Sequence, residues 1–224
     1  MKKIFNILNL VLISLVLVGD VFYILKGTLL IKSLTSAGFL LLGVINLVYV
    51  IKNKEENLKF CVMMVSGLLF AMLGDIILEI DFIIGALLFA VGHVLYFVAY
   101  CFVCKFNWKD LIYGACIFIP ATGVILFAPI FNFGGNTLKW LCVIYAIIIS
   151  CMTGKAVANF IREKSLLTII LMLGSALFLI SDLMLLFSNF TDISGVFRYL
   201  CLITYYPAEC LLAHSLMHTK KSSV

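Results

Sequence analysis

The stretch LGDIILEIDFIIGALLFAVGHVLY, residues 73–96, decides the fold. Two apolar runs meet there at a short polar turn, Glu79-Ile80-Asp81, and each carries an ionisable side chain, Asp75 in the first run and His93 in the second. Followed outward, the first run reaches back to Lys59 and the second forward to Cys104. Each has about 20 residues, the length at which a helix crosses the hydrocarbon core of a bilayer. A transmembrane barrel would need segments of about ten residues alternating apolar and polar, whereas these runs are apolar on every face.

The rest of the chain repeats the pattern. Of its 224 residues 64% are hydrophobic and 12% charged, well above the roughly 45–50% apolar content of a soluble domain. Spans are expected at 4–25, 34–51, 59–79, 82–104, 109–128, 137–157, 165–187 and 196–217. The fold class is therefore an all-α integral membrane protein of eight transmembrane helices. The loops left over are too short for a soluble domain, so residues 1–224 form a single transmembrane bundle. Met1-Lys2-Lys3 followed by an apolar run resembles a signal peptide, but no small-residue cleavage site follows and the run continues to Lys26, so it is expected as a retained first span.

With the N-terminus inside, the cytoplasmic segments hold Lys2, Lys3, Lys52, Lys54, Lys59, Lys105, Lys109, Lys155, Arg162, Lys164, Lys220 and Lys221, and the opposite face only Lys26, Lys32, Lys139 and Arg198. Twelve against four places both termini in the cytoplasm by the positive-inside rule. The net charge of +5 thus needs no nucleic acid as partner; anionic headgroups of the inner leaflet suffice. A multi-pass protein of the cell membrane is expected. All eight cysteines fall within or at the ends of spans, where disulfides are not expected, and Cys101 and Cys104 lack the second pair that zinc would require.

GLLFAMLGDIIL (67–78) aligns with GSALFLISDLML (174–185) at an offset of 107 residues, close to half the chain. The match relates the third span to the seventh, which run in the same direction, and points to a 4+4 parallel internal repeat. It also sets Asp75 and Asp182 at one depth, where they could face each other across one cavity. An ionisable side chain inside a span costs about 2.5–3.5 kcal/mol even on insertion scales, so these two aspartates are candidate functional residues. His93 and Tyr96, three apart, share a face of the fourth span, with Gly85 and Gly92 allowing close helix approach. His93 is expected beside Asp75, orienting it or holding water. Glu79, Asp81 and Asp20 stand near span ends and are expected as solvated charges. The eighth span carries Arg198 at its mouth, facing a phosphate, Asp182 or the interface. Tyr205-Tyr206-Pro207 lies near its middle, and Glu209 is either paired with a neighbour such as Lys155 or protonated.

The pattern Gly74-Asp75, Phe82, Gly85, Phe89, His93 and Tyr96, then Ser181-Asp182 and Tyr205-Tyr206, resembles that of the YhhN-like membrane proteins, the lysoplasmalogenases, over nearly the whole chain. That family's eighth span is expected to carry Gln where this sequence has Glu209; a protonated Glu offers a similar donor and acceptor. The resemblance implies hydrolysis of the vinyl-ether bond of 1-alkenyl lysophospholipids with ethanolamine or choline headgroups, giving a fatty aldehyde and the glycerophospho-base. Acid-base catalysis by a carboxylate pair suits that reaction, because its cation resembles the oxocarbenium ion of glycoside cleavage. The implied catalytic residues are Asp75, Asp182 and His93, and the implied substrate-binding residues Tyr96, Tyr205, Tyr206, Arg198 and Glu209. The chemistry calls for no metal or other cofactor, and the expected partners are the lysophospholipid and membrane lipids. A small proton-coupled transporter using the same carboxylates is the alternative.

Overall fold

The computed structural model describes residues 2–53, 57–192 and 194–219. It has eight α-helices, α1 (Lys2–Lys26), α2 (Leu29–Lys52), α3 (Leu58–Leu78), α4 (Phe82–Val103), α5 (Asp110–Phe127), α6 (Asn136–Arg162), α7 (Leu166–Phe190) and α8 (Ser194–His214), the last continued by a 3-10 turn, Ser215–His218. Among the described residues there is no strand. All eight helices are long and apolar enough to cross a membrane. Large apolar side chains such as Leu25, Ile119 and Phe127 stand exposed on the perimeter, as a lipid-facing surface requires.

The number of spans is the one expected from sequence, but two boundaries are displaced by five residues. Helix α2 begins at Leu29 rather than 34, because the chain turns at Gly27, whose φ of 62° is open to glycine without steric cost, and Thr28 caps the new helix by accepting from Ile31 N. Lys32 is consequently inside the first turns of α2 and not in a loop. Helix α6 runs on past 157 to Arg162, because Lys155 and Arg162 both reach Asp110 at the start of α5. Lys54, Lys220 and Lys221 lie outside the described residues.

The α3–α4 hairpin is closed by Asp81, whose exposed carboxylate accepts from Ile84 N at 2.9 Å and caps α4. Its two helices touch at Gly85, where a Cβ would lie 2.6 Å from Leu78 Cα, so only glycine permits this approach. Helix α8 packs most closely on α7 and also contacts α1, α2 and α3, whereas α5 sits outside, packed on α6. The α5–α6 contact is tightest where Gly114 meets Gly154, a Cβ on the latter colliding with Gly114 N. The core joins Phe39, Met64, Leu68, Phe89, Tyr96, Phe178, Tyr205 and Tyr206 in one cluster.

Asn9, Asn46 and His214 meet at the other end of the helices and supply one another with polar partners, as an apolar surrounding demands. Asn9 and Asn46 exchange amide hydrogen bonds at 2.7 and 2.9 Å, Asn46 also donates to the Ala213 carbonyl, and His214 Nδ1 lies 2.8 Å from Asn9 Oδ1. These bonds tie the first helix to the last.

Candidate active site

Lys32, Asp75 and Glu79 form the centre of the site. One turn of α3 separates the two carboxylates, so both project toward the same neighbour, and α2 brings Lys32 between them. Lys32 Nζ lies 3.0 Å from Asp75 Oδ1 and 2.8 Å from Glu79 Oε1. Asp75 also accepts from Ser36 Oγ at 2.5 Å and from Tyr206 Oη at 3.0 Å. A buried carboxylate is thus held by one cation and two hydroxyls, each from a different turn or helix. Glu79 accepts a second bond from Tyr23 Oη at 2.6 Å, and Arg198 Nη2 donates to that same phenol oxygen at 3.1 Å. Burial by itself would raise the Glu79 carboxyl, but the bonds donated by Lys32 and Tyr23 outweigh it and hold the group below its ordinary value.

Asp182 of α7 belongs to a second cluster. Its Oδ2 accepts from Tyr145 Oη at 2.7 Å, and His93 Nε2 lies 3.1 Å from the same oxygen and 2.7 Å from the phenol. With the phenol O–H donating to Asp182, the consistent arrangement has a proton on Nε2, donated to the oxygens. His93 Nδ1 has no partner among the described residues. Phe178 packs edge-on against the imidazole, ring centroids 4.6 Å apart, and fixes its plane. No lysine or arginine among the described residues pairs with Asp182.

The two clusters open into one cavity of about 520 Å³ between α1, α2, α3, α4, α7 and α8. Its lining includes Lys32, Asp75, Glu79, Asp182, Arg198 and Tyr205. Asp75 and Asp182, matched by sequence alone, therefore do face a shared space. The cavity presents cations and anions together, which is the complement of a zwitterion.

Several expected placements are corrected. His93 stands with Asp182 and Tyr145, not beside Asp75, because its face of α4 turns toward α6 and α7. Arg198 bonds Tyr23 rather than Asp182. Glu79 is not a free loop charge but is clamped by two donors, and Asp20 is buried, 5% exposed, rather than solvated. Lys155 pairs with Asp110, leaving Glu209 to accept from Tyr96 Oη at 2.8 Å in the interior. Tyr96, Tyr206 and Glu209 do not line the cavity; they lie behind its wall. Tyr205 does line it and donates to the Ala71 carbonyl at 3.4 Å.

Four contributors escaped the sequence reading: Lys32, Ser36, Tyr23 and Tyr145. For Lys32 a signal exists. Leu29-Leu30-Ile31 precede it and are more apolar than Ser33-Leu34-Thr35 after it, so the lysine interrupts a span rather than ending one. Tyr145 and Ser36 carry no such mark among the many hydroxyls of the chain. Among the described residues no group of three His, Cys, Asp or Glu is placed to hold a metal ion.

An eight-helix membrane bundle whose carboxylates and lysine converge on a polar cavity defines a multi-pass membrane protein. The chain belongs to the YhhN family, whose model matches residues 27–216. The matched segment contains all the site residues named above except Tyr23. No curated protein and no solved structure matches the chain.

Proposed function

We propose that this protein is a lysoplasmalogenase-type hydrolase of the cell membrane, cleaving the vinyl-ether bond of 1-alkenyl lysophospholipids to a fatty aldehyde and a glycerophospho-base. The observation that carries the reading is the unequal pairing of two aspartates on one cavity: Asp75 bonded to a lysine, Asp182 to a phenol and an imidazole. A vinyl ether hydrolyses when an acid protonates its β-carbon, so the site must hold one carboxyl able to bear a proton and one fixed negative charge. Family membership and the apolar bundle around the cavity support the same reading.

In this mechanism Asp182 is the acid. Its proton passes to the β-carbon, the π electrons form the new C–H bond, and the ether oxygen shares the positive charge as an oxocarbenium ion. Asp75, anchored by Lys32, Ser36 and Tyr206, supplies preorganised negative charge to that cation. The Asp182 carboxylate then removes a proton from water as its oxygen adds to the α-carbon, which regenerates the acid, as the acid-base residue of a retaining glycosidase does. The hemiacetal collapses with transfer of its hydroxyl proton to the departing glycerol oxygen. Tyr145 and His93 hold Asp182 in place. Arg198 at the cavity wall meets the substrate phosphate, and Glu79 and Tyr23 lie on the headgroup side. With the basic segments inside, the termini are cytoplasmic and the cavity faces the outer leaflet.

The test incubates detergent-purified protein with a 1-alkenyl lysophospholipid and measures aldehyde, with Asp75→Asn and Asp182→Asn in parallel. Release by the wild type and its loss in both folded variants is the expected result. A folded wild type that releases no aldehyde across headgroups would reject the activity, and substrate transport without cleavage in proteoliposomes would replace it with a carrier.

A further inference from the structure

Beside the polar cavity lies a second, smaller space. It is a slot of about 90 Å³ between α4, α5, α6 and α7, lined almost wholly by apolar side chains including Phe82, Ala121, Ile125, Ala146 and Leu186. Asp182, Phe89 and Leu185 line both spaces, so the two meet at the carboxylate assigned as the acid. Half-buried Ala121, Cys142 and Leu183 bring the slot to the perimeter of the bundle, where it meets the bilayer.

We infer that this slot seats the first part of the hydrocarbon chain of a single-chain lipid whose headgroup fills the polar cavity, and that Ala121 and Ala146 determine which chains it admits. This assignment rests on the hydrolase reading above and adds to it the direction of the chain and the residues that select it. Three observations carry it. The polar-to-apolar boundary of the protein falls at Asp182, and in an alkenyl lysolipid the scissile bond falls at the boundary between headgroup and chain. A lipid laid across the two spaces therefore brings its reactive carbons to the carboxyl without further adjustment.

The slot is also narrow. Its 90 Å³ is less than a fifth of the 520 Å³ of the polar cavity. One chain enters and a second does not, which favours a lysolipid over a two-chain phospholipid. Finally, the slot has an end. On α6 its lining stops at Ser150, and one turn further Gly154 is locked against Gly114, closing α5 on α6. From Tyr145 to Ser150 the helix rises about 7.5 Å at 1.5 Å per residue, so the first part of the chain is measured against a fixed floor.

The experiment compares wild type, Ala121→Phe and Ala146→Phe on 1-alkenyl lysophospholipids of increasing chain length. In parallel, the wild type is photocrosslinked with a lysophospholipid carrying a diazirine in its chain. A phenyl ring in the slot should lower the ratio of long-chain to short-chain kcat/KM by about tenfold or more, the scale on which apolar pockets discriminate. Ala121 is half-buried at the perimeter, so that variant tests the point even where Ala146→Phe fails to fold. Crosslinks should fall on α6 between 141 and 150 and on α5 near Ala121. Equal loss at every chain length, or crosslinks on the other apolar groove, lined by Leu15, Phe22 and Leu34 of α1 and α2, would overturn the slot while leaving the hydrolase standing. Crosslinks in the slot from a wild type that cleaves no chain would do the reverse.

Discussion

Lys32 Nζ stands 3.0 Å from Asp75 Oδ1, and both side chains are about 95% buried inside the helix bundle. In an apolar surrounding neither charge is tolerable without the other. Replacing Lys32 by Met should therefore destabilise the protein by about 3–5 kcal/mol, the usual result of leaving one member of a buried pair alone. The double variant Lys32→Met with Asp75→Asn should recover part of the loss, since the stranded charge is gone. Thermal unfolding in detergent measures both. Equal stability of the single variant and the wild type would show that the pair is not what holds Asp75.

Asp182 is held differently, and its substitution should separate chemistry from stability. Asp182→Asn keeps the shape of the side chain and its bonds to Tyr145 and His93 but cannot deliver a proton, so kcat should fall by about 10²–10⁴-fold, the contribution of a positioned general acid. Tyr145→Phe removes one bond of 2.7 Å and should cost about 2–10-fold through misplacement of the carboxyl, in keeping with about 0.5–1.5 kcal/mol for a bond to the neutral acid. A Tyr145→Phe variant as inactive as Asp182→Asn would instead make the phenol a participant in proton transfer.

The spans were legible because length and hydropathy act on whole segments, and no choice of rotamer alters them. Asp75 and Asp182 were legible for a related reason: a carboxylate deep in an apolar run has no water to explain it. Partners were not legible. Which residue His93 meets depends on how α4 is rotated about its axis, and a rotation of one residue moves a side chain by about 100° around the helix. The spacing of His93 and Tyr96 puts them on one face without saying which neighbour the face meets. Lys32 was hidden by its position near a span end, where lysines ordinarily reach water along their own stems. The bonds to Asp75 and Glu79 turn it inward.

Glu79 gives the site a dependence on acidity. Its folded-state value lies below the ordinary one because Lys32 and Tyr23 donate to it despite its partial burial. A carboxyl depressed on folding adds stability above its unfolded value, about 4.3, and that contribution disappears as pH falls through the folded value. Wild type should accordingly exceed Glu79→Gln in melting temperature at neutral pH, with the difference shrinking on acidification below about pH 4. Melting curves for both proteins between neutral and acid pH decide it. A constant difference would mean that Glu79 acts through its shape and not its charge.

Another buried ion pair among the described residues, Lys155 with Asp110, predicts a contrasting outcome. Lys155 Nζ lies 2.9 Å from Asp110 Oδ2 and donates to the carbonyls of Cys104 and Lys105 at 2.8 and 3.3 Å, while Arg162 pairs with the other carboxylate oxygen. None of these groups lines the polar cavity. They bind the start of α5 and the end of α4 to the end of α6, and the Gly114–Gly154 contact follows from that anchoring. Asp110→Asn leaves two cations facing a neutral amide, so it should cost about 3–5 kcal/mol. Arg162→Gln should cost less, because that guanidinium is one-third exposed and solvent replaces its partner. In both variants the protein that remains folded should cleave substrate at the wild-type rate per molecule. Rate and melting temperature measured on the same preparations test this, and a loss of turnover without loss of stability would tie the ion pair to the reaction.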